Sequence, residues 1–252
     1  MQSIILALLI SISVNTQSVT ELMQLSQERT RSGNSEMQST ISIYDNRGNQ
    51  RIREISTFTR QTPESSQLLI RFTSPAEVRG TTLLVYDYTD QADQQWIYLP
   101  ATGKVRQLIS SEKGRNFMGS EFTNSDMSQL NLNDYTFTDA GKEIMDGISC
   151  RKIEAKGRTS TLQNEQGYSR KVIYLDEKRL IPIRERFYDR NGKPHRELVY
   201  EDYRKSSDGK WVAWQMTMTN LQNGRKSMMQ VNKFISELQH SPQIFSPTSL
   251  GK

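Results

Sequence analysis

The sequence predicts a mainly β protein: a single strongly curved antiparallel sheet, an open half-barrel of about eleven strands. An N-terminal helix and a central helical or loop insert would cover a hydrophobic cavity on it. Three observations carry that expectation. Apolar and polar residues alternate with period two over most of residues 40–235, the pattern of half-buried strands. The alternating stretches are separated by short turns rich in Gly, Asn and Asp, such as Asp189-Arg190-Asn191-Gly192 and Ser207-Asp208-Gly209, and short links of this kind join antiparallel neighbours. Helical spacing is confined to the start of the chain, and the rhythm breaks once, over residues 110–133.

Taken in order, residues 1–17 read as an export leader. Ile4 to Ile12 is an apolar run interrupted only by Ser11, long enough for the core of a signal peptide and too short to span a membrane. No Lys or Arg precedes it, small residues between Ser13 and Ser18 suit cleavage, and no cysteine follows that would carry a lipid anchor. Residues 18–252 then form one domain. Val19, Leu22 and Met23 fall at helical spacing up to residue 31, with Ser18 as N-cap and Glu21 three residues on, the signature of a capping box. Strands are expected at 40–44, 51–58, 67–73, 81–88, 95–99 and 105–109. Residues 110–133, rich in Ser, Asn, Gly and Met, read as loop with a short helix around 124–130. Strands resume at 135–140, 144–155, 170–175, 181–188, 195–203, 211–220 and 227–235, and no linker divides the chain.

Composition narrows the function. The chain has 252 residues, 33 Lys and Arg against 28 Asp and Glu, and 35% hydrophobic residues. That is enough for a core and excludes several membrane-spanning helices. The whole excess of positive charge falls in residues 141–210, which hold 17 basic and 12 acidic residues. Because the basic residues sit beside acids, as in Arg184-Glu185-Arg186, they read as solvated strand faces, or as a mildly basic face toward a membrane surface, and not as a nucleic-acid stripe. The single cysteine, Cys150, reads as a small core residue, and His195 (in an expected turn) and His240 stand apart from it. A metal site or a catalytic thiol is not expected from that set. Ser110-Ser111-Glu112-Lys113 fits S-x-x-K without the companion motifs of such enzymes. No cofactor and no catalytic residue are expected.

The large apolar residues are the informative ones. Trp214, Met216 and Met218 alternate along one strand, as do Trp96 and Tyr98, and Leu68, Ile70 and Phe72 share a face. Methionine and aromatic side chains make adaptable apolar walls; the same residues would equally fill a dry core. Phe117, Met118 and Phe122 stand in an otherwise polar loop, where they suit either a lid over an apolar mouth or a loop folded onto the core.

Three blocks carry a family resemblance. Phe72-Thr73-Ser74-Pro75-Ala76-Glu77-Val78-Arg79-Gly80-Thr81-Thr82-Leu83-Leu84 resembles the signature of LolA-like outer-membrane lipoprotein-sorting proteins. Gln95-Trp96-Ile97-Tyr98-Leu99-Pro100 with Lys104-Val105-Arg106 follows, and then Phe117-Met118-Gly119-Ser120-Glu121-Phe122 with Asp126 and Leu130 beyond. The blocks occur in the family's order, and the resemblance covers roughly residues 20–240, closest to a poorly characterised branch. It implies a soluble periplasmic monomer whose cavity holds acyl chains of lipoproteins or another lipid without covalent chemistry. Leu68, Ile70, Phe72, Trp96, Tyr98, Phe117, Met118, Phe122, Trp214, Met216 and Met218 are then the candidate cavity and lid residues. An inner-membrane transporter or an outer-membrane acceptor would be the partner. The sequence departs from the founding carrier in having no recognisable match to its lid-locking arginine, for which Arg71, Arg79 and Arg106 are candidates. The alternative is an adaptor module that docks an envelope transporter or assembly complex.

Overall fold

The computed structural model describes residues 17–252; the expected leader, residue 17 apart, lies outside the described residues. Helix α1 (Val19–Thr30) starts at the predicted cap: Ser18 Oγ accepts from the Glu21 N–H (3.2 Å) and the Glu21 carboxylate accepts from the Ser18 N–H (2.9 Å). Two donors that the first turn would otherwise leave unpaired are satisfied this way.

The chain then forms one antiparallel sheet of thirteen strands, as many as the alternating stretches set out above and more than the total of about eleven expected for the half-barrel. The first meander comprises β1 (Ser35–Tyr44), β2 (Gln50–Gln61), β3 (Ser65–Ser74), β4 (Thr82–Tyr88), β5 (Gln94–Leu99) and β6 (Lys104–Gln107). The second comprises β7 (Tyr135–Met145), β8 (Ile148–Gly157), β9 (Arg170–Asp176), β10 (Pro182–Tyr188), β11 (Pro194–Lys205), β12 (Trp211–Asn220) and β13 (Lys226–Ser236). Within each meander every strand pairs with its neighbour in sequence, and β1 pairs with β13, so β6 and β7 are the two free edges of an open sheet. The segment from β6 to β7 must therefore travel from one edge to the other, and it does so across the inner face. It contains the short helix α2 (Ser110–Lys113) and isolated 3-10 turns.

Four local expectations need correction. The stretch 144–155 is not one strand, because Asp146 and Gly147 both take positive φ (51° and 80°) and make the tight turn that joins β7 to β8. The helix expected around 124–130 reduces to one 3-10 turn at Ser125–Met127. There the Thr123 N–H donates to Asp126 Oδ2 (2.7 Å), a side-chain capture that competes with helical bonding. Helix α3 (Ser160–Gln166), capped by Thr159 and stopped by Gly167 at φ 75°, was not anticipated. His195 lies in β11, not in a turn.

The sheet has two unlike faces. On the inner face Ile41, Ile55, Ile70, Phe72, Leu83 and Val85 pack with Phe187, Leu198, Met218 and Met229, and Phe117 and Phe122 of the insert plug into them. Phe117 stands 5.5 Å from Phe72, ring centre to ring centre. Each such fully buried side chain contributes roughly 1.5–3 kcal/mol. A second inner cluster joins Met23 of α1 to Tyr135, Ile153, Ala155, Ile173 and Leu175. The outer face carries ion pairs over β8–β11, among them Arg186–Glu197 (2.6 Å) and Arg170–Glu154 (3.0 Å). Cys150 is buried on that side among Val172, Tyr174 and Ile183. Over β2–β5 the outer face is instead covered by the C-terminal segment, through Phe245 and Leu250. Among the described residues no helix is long and apolar enough to cross a membrane.

Candidate functional site

Between α1, the insert and the inner face of the sheet lies a cavity of about 500 Å³, within the ~300–1,000 Å³ usual for a small-molecule site. Alpha-helix α1 presents Met23, Ser26, Gln27 and Thr30 to it, the face fixed by the 3.6-residue repeat. The sheet contributes Met37, Leu68, Leu198, Met216 and Phe234, with Thr57 and Thr59 between them. The insert closes the side through Ser128, Gln129 and Leu130, and the Gln27 Nε2–H donates to the Leu130 carbonyl (2.5 Å), tying α1 to the insert.

One wall is polar. Lys171 (β9) pairs with Glu185 (β10) at 2.7 Å, and the Tyr200 hydroxyl (β11) donates to the other Glu185 oxygen at 3.1 Å. All three residues line the cavity. Burial pulls the Lys171 ammonium down, but Glu185 and Tyr135 outweigh it and its pKa lies above the usual value. Burial also pushes the Tyr200 hydroxyl well up. The Tyr135 and Tyr168 hydroxyls meet at 3.3 Å beside this pair. Near the α3 end, Asp93 is raised to about 6 by burial, which Asp134 and Glu165 reinforce. Asp87, behind it, is raised to about 7 by burial and by the Asp93 charge.

A second buried pair fastens the insert. Arg196 of β11 is 3% exposed; its guanidinium donates to Asp126 (2.5 and 3.3 Å) and to the Glu121 carbonyl (3.1 Å), and it lies over the Phe187 ring at 4.8 Å. Burial alone would raise Asp126, yet Arg196 holds it below the ordinary carboxylate value. Arg225 adds an ion pair to Glu121 at 2.8 Å. None of the arginines suggested by the sequence makes this cross-sheet contact. Arg79 donates to the nearby Thr73 carbonyl, Arg106 makes a local two-pronged contact with Glu112 of α2 (2.7 and 3.0 Å), and Arg71 makes no ion pair with the insert among the described residues.

The eleven candidate residues divide three ways. Leu68 and Met216 line the cavity. Ile70, Phe72, Phe117, Phe122 and Met218 are buried in the inner core beside it, with Met118 packed against them. Trp96 and Tyr98 point to the opposite face, where they pack beneath Phe245 and Leu250 of the C-terminal segment. Trp214 also leaves the cavity: β12 pairs with β13 only over Gln215–Thr219, and Trp214 lies just past the end of that pairing. There it stacks on the Arg204 guanidinium at 4.0 Å. Lys171, Glu185, Tyr200 and Arg196 were not anticipated as site residues. The one signal for them is a charged residue at an inward position of an alternating strand.

Residues 64–252 match the model of a family described as "Uncharacterized protein". No curated protein matches the chain. Among solved structures, a Vibrio parahaemolyticus domain provisionally titled an outer membrane lipoprotein-sorting protein is 26% identical, with TM-score 0.86 over 92% of this chain and 98% of its own. A DUF1329 family protein from Desulfovibrio piger is 27% identical, with TM-score 0.85 over 92% and 97%. A LolA superfamily protein from Nitrosomonas europaea, at 16% identity and TM-score 0.73 over 92% and 98%, shares the fold.

Proposed function

The chain belongs to the LolA-like family of outer-membrane lipoprotein-sorting proteins, and from that premise we propose that residues 18–252 act as a periplasmic carrier. The carrier holds acyl chains of lipoproteins or another lipid in its cavity and passes them across the envelope without covalent chemistry. The observation that carries this reading is the cavity of about 500 Å³ on the inner face, with Met23, Leu68, Met216 and Phe234 on its walls. Each methylene removed from water there stabilises the complex by ~0.8 kcal/mol. Release then requires the covering elements to move, and the Asp126–Arg196 pair is the contact that holds the insert down between loading and unloading. The protein works as a monomer, and an inner-membrane transporter and an outer-membrane acceptor are its partners.

Uptake of a neutral apolar fluorescent probe tests the reading. Met216→Asp places a charge in the apolar wall and abolishes most uptake, whereas Trp214→Asp, on a residue outside the cavity, leaves it within about twofold. Equal loss in both variants, or no uptake by the unmodified protein, contradicts a carrier cavity at this place.

A further inference from the structure

Building on the carrier reading, we infer that the cavity receives its ligand by a neutral acyl carbonyl, an ester or amide oxygen held on the ammonium of Lys171. Lys171 faces the cavity from β9, and its side chain is 10% exposed. An ammonium has three N–H donors. One goes to Glu185 at 2.7 Å, and no other acceptor among the described residues takes the remaining two. Each Glu185 oxygen already accepts one hydrogen bond, from Lys171 and from the Tyr200 hydroxyl. The polar wall thus offers, at Lys171, two donors with no acceptor to match them.

That asymmetry selects the ligand's chemistry. A bare hydrocarbon laid against the wall strips water from two charged donors and gives nothing back. An acyl ester or amide carries the same chain and supplies the missing acceptor at its end. A free carboxylate is a poorer fit. Lys171 is already neutralised by Glu185, and Asp93, Asp134 and Glu165 also line the cavity. Of the other cations on the wall, Lys113 is taken by Glu165 (3.1 Å) and Arg31 donates to Gln61 (2.8 Å). A new negative charge would meet carboxylates, while a carbonyl dipole adds none.

The test uses three ligands with one chain length: monopalmitoylglycerol, its ether analogue 1-O-hexadecylglycerol, which lacks the carbonyl, and ionised palmitate. Each is titrated against the protein loaded with a neutral fluorescent probe. The ester should displace the probe about ten- to a hundredfold more tightly than the ether, the value of a hydrogen bond to a charged donor, and more tightly than palmitate. Lys171→Met should erase the preference for the ester over the ether. Because that variant strands Glu185, the double variant Lys171→Met/Glu185→Leu, which removes both charges, is measured beside it. Equal affinity for ester and ether in the unmodified protein, tighter binding of palmitate than of the ester, or a preference that survives in the double variant, overturns the role of Lys171 while leaving the carrier intact. Failure of the unmodified protein to take up the probe or any of the three ligands removes the carrier reading and this inference with it.

Discussion

Replacing Arg196 by methionine removes the cation that fastens the insert to the sheet and leaves Asp126 with no counter-charge. The guanidinium makes two contacts to Asp126 and one to the Glu121 carbonyl from a site only 3% exposed. Removing one partner of a buried pair costs about 3–5 kcal/mol, chiefly through the charge left behind. For a chain of this length that corresponds to a fall in Tm of about 10 °C. Denaturant unfolding gives the free energy, and amide hydrogen exchange over residues 117–130 shows where it is lost. The double variant Arg196→Met/Asp126→Leu exchanges both charges for apolar groups and should recover most of the stability, because the desolvation cost disappears with the attraction. A loss below about 1 kcal/mol in Arg196→Met, or a double variant no more stable than the single one, refutes the reasoning.

Other consequences are equally direct. Asp87 has a pKa of about 7 in the folded chain against ~3.9 unfolded, so the stability associated with its protonated form is complete below about pH 4 and is lost as pH rises through 7. Stability should fall by about 2–3 kcal/mol between about pH 5 and 8 on this account, and Asp87→Asn should flatten that slope in denaturant titrations; an unchanged slope contradicts it. Phe245 of the C-terminal segment is 1% exposed against the outer face of the sheet, and Phe245→Ala should cost about 3–5 kcal/mol without impairing probe uptake, since it sits on the face opposite the cavity. A loss of uptake in a folded Phe245→Ala protein would mean that the outer face contributes to the site.

What could be read from the sequence was local chemistry. The capping box at Ser18 and Glu21 is complete within four residues, so α1 needs nothing distant to define its start. Gly80 adopts φ 82° between Phe72 and the next strand, as its place in the first block implies, and its N–H donates to the Phe72 carbonyl at 2.8 Å. Alternation also placed Leu68, Ile70 and Phe72 on one face. Period two states that residues share a face but not which face it is. Trp96 and Tyr98 therefore read as cavity residues until the C-terminal segment is seen to cover them, with Gly251 so close to the Tyr98 ring that a Cβ would come within 2.4 Å. Trp214 escaped because it lies just past Gln215, where the pairing of β12 with β13 ends, and nothing in its own strand announces that. The buried pairs of Lys171 with Glu185 and of Arg196 with Asp126 join residues 14 and 70 positions apart. Composition shows such charges only as a solvated face, since their burial depends on the insert crossing the sheet.

The central claim is that this cavity carries a lipid. Native mass spectrometry of the gently purified protein, with lipid extraction of the same sample, tests it most directly. The account predicts a bound mass that extracts as an acylated lipid and disappears in Met216→Asp, while Trp214→Asp retains it. A folded protein that shows only its own mass and takes up no lipid when vesicles are added would contradict it, and would favour a docking role for the sheet.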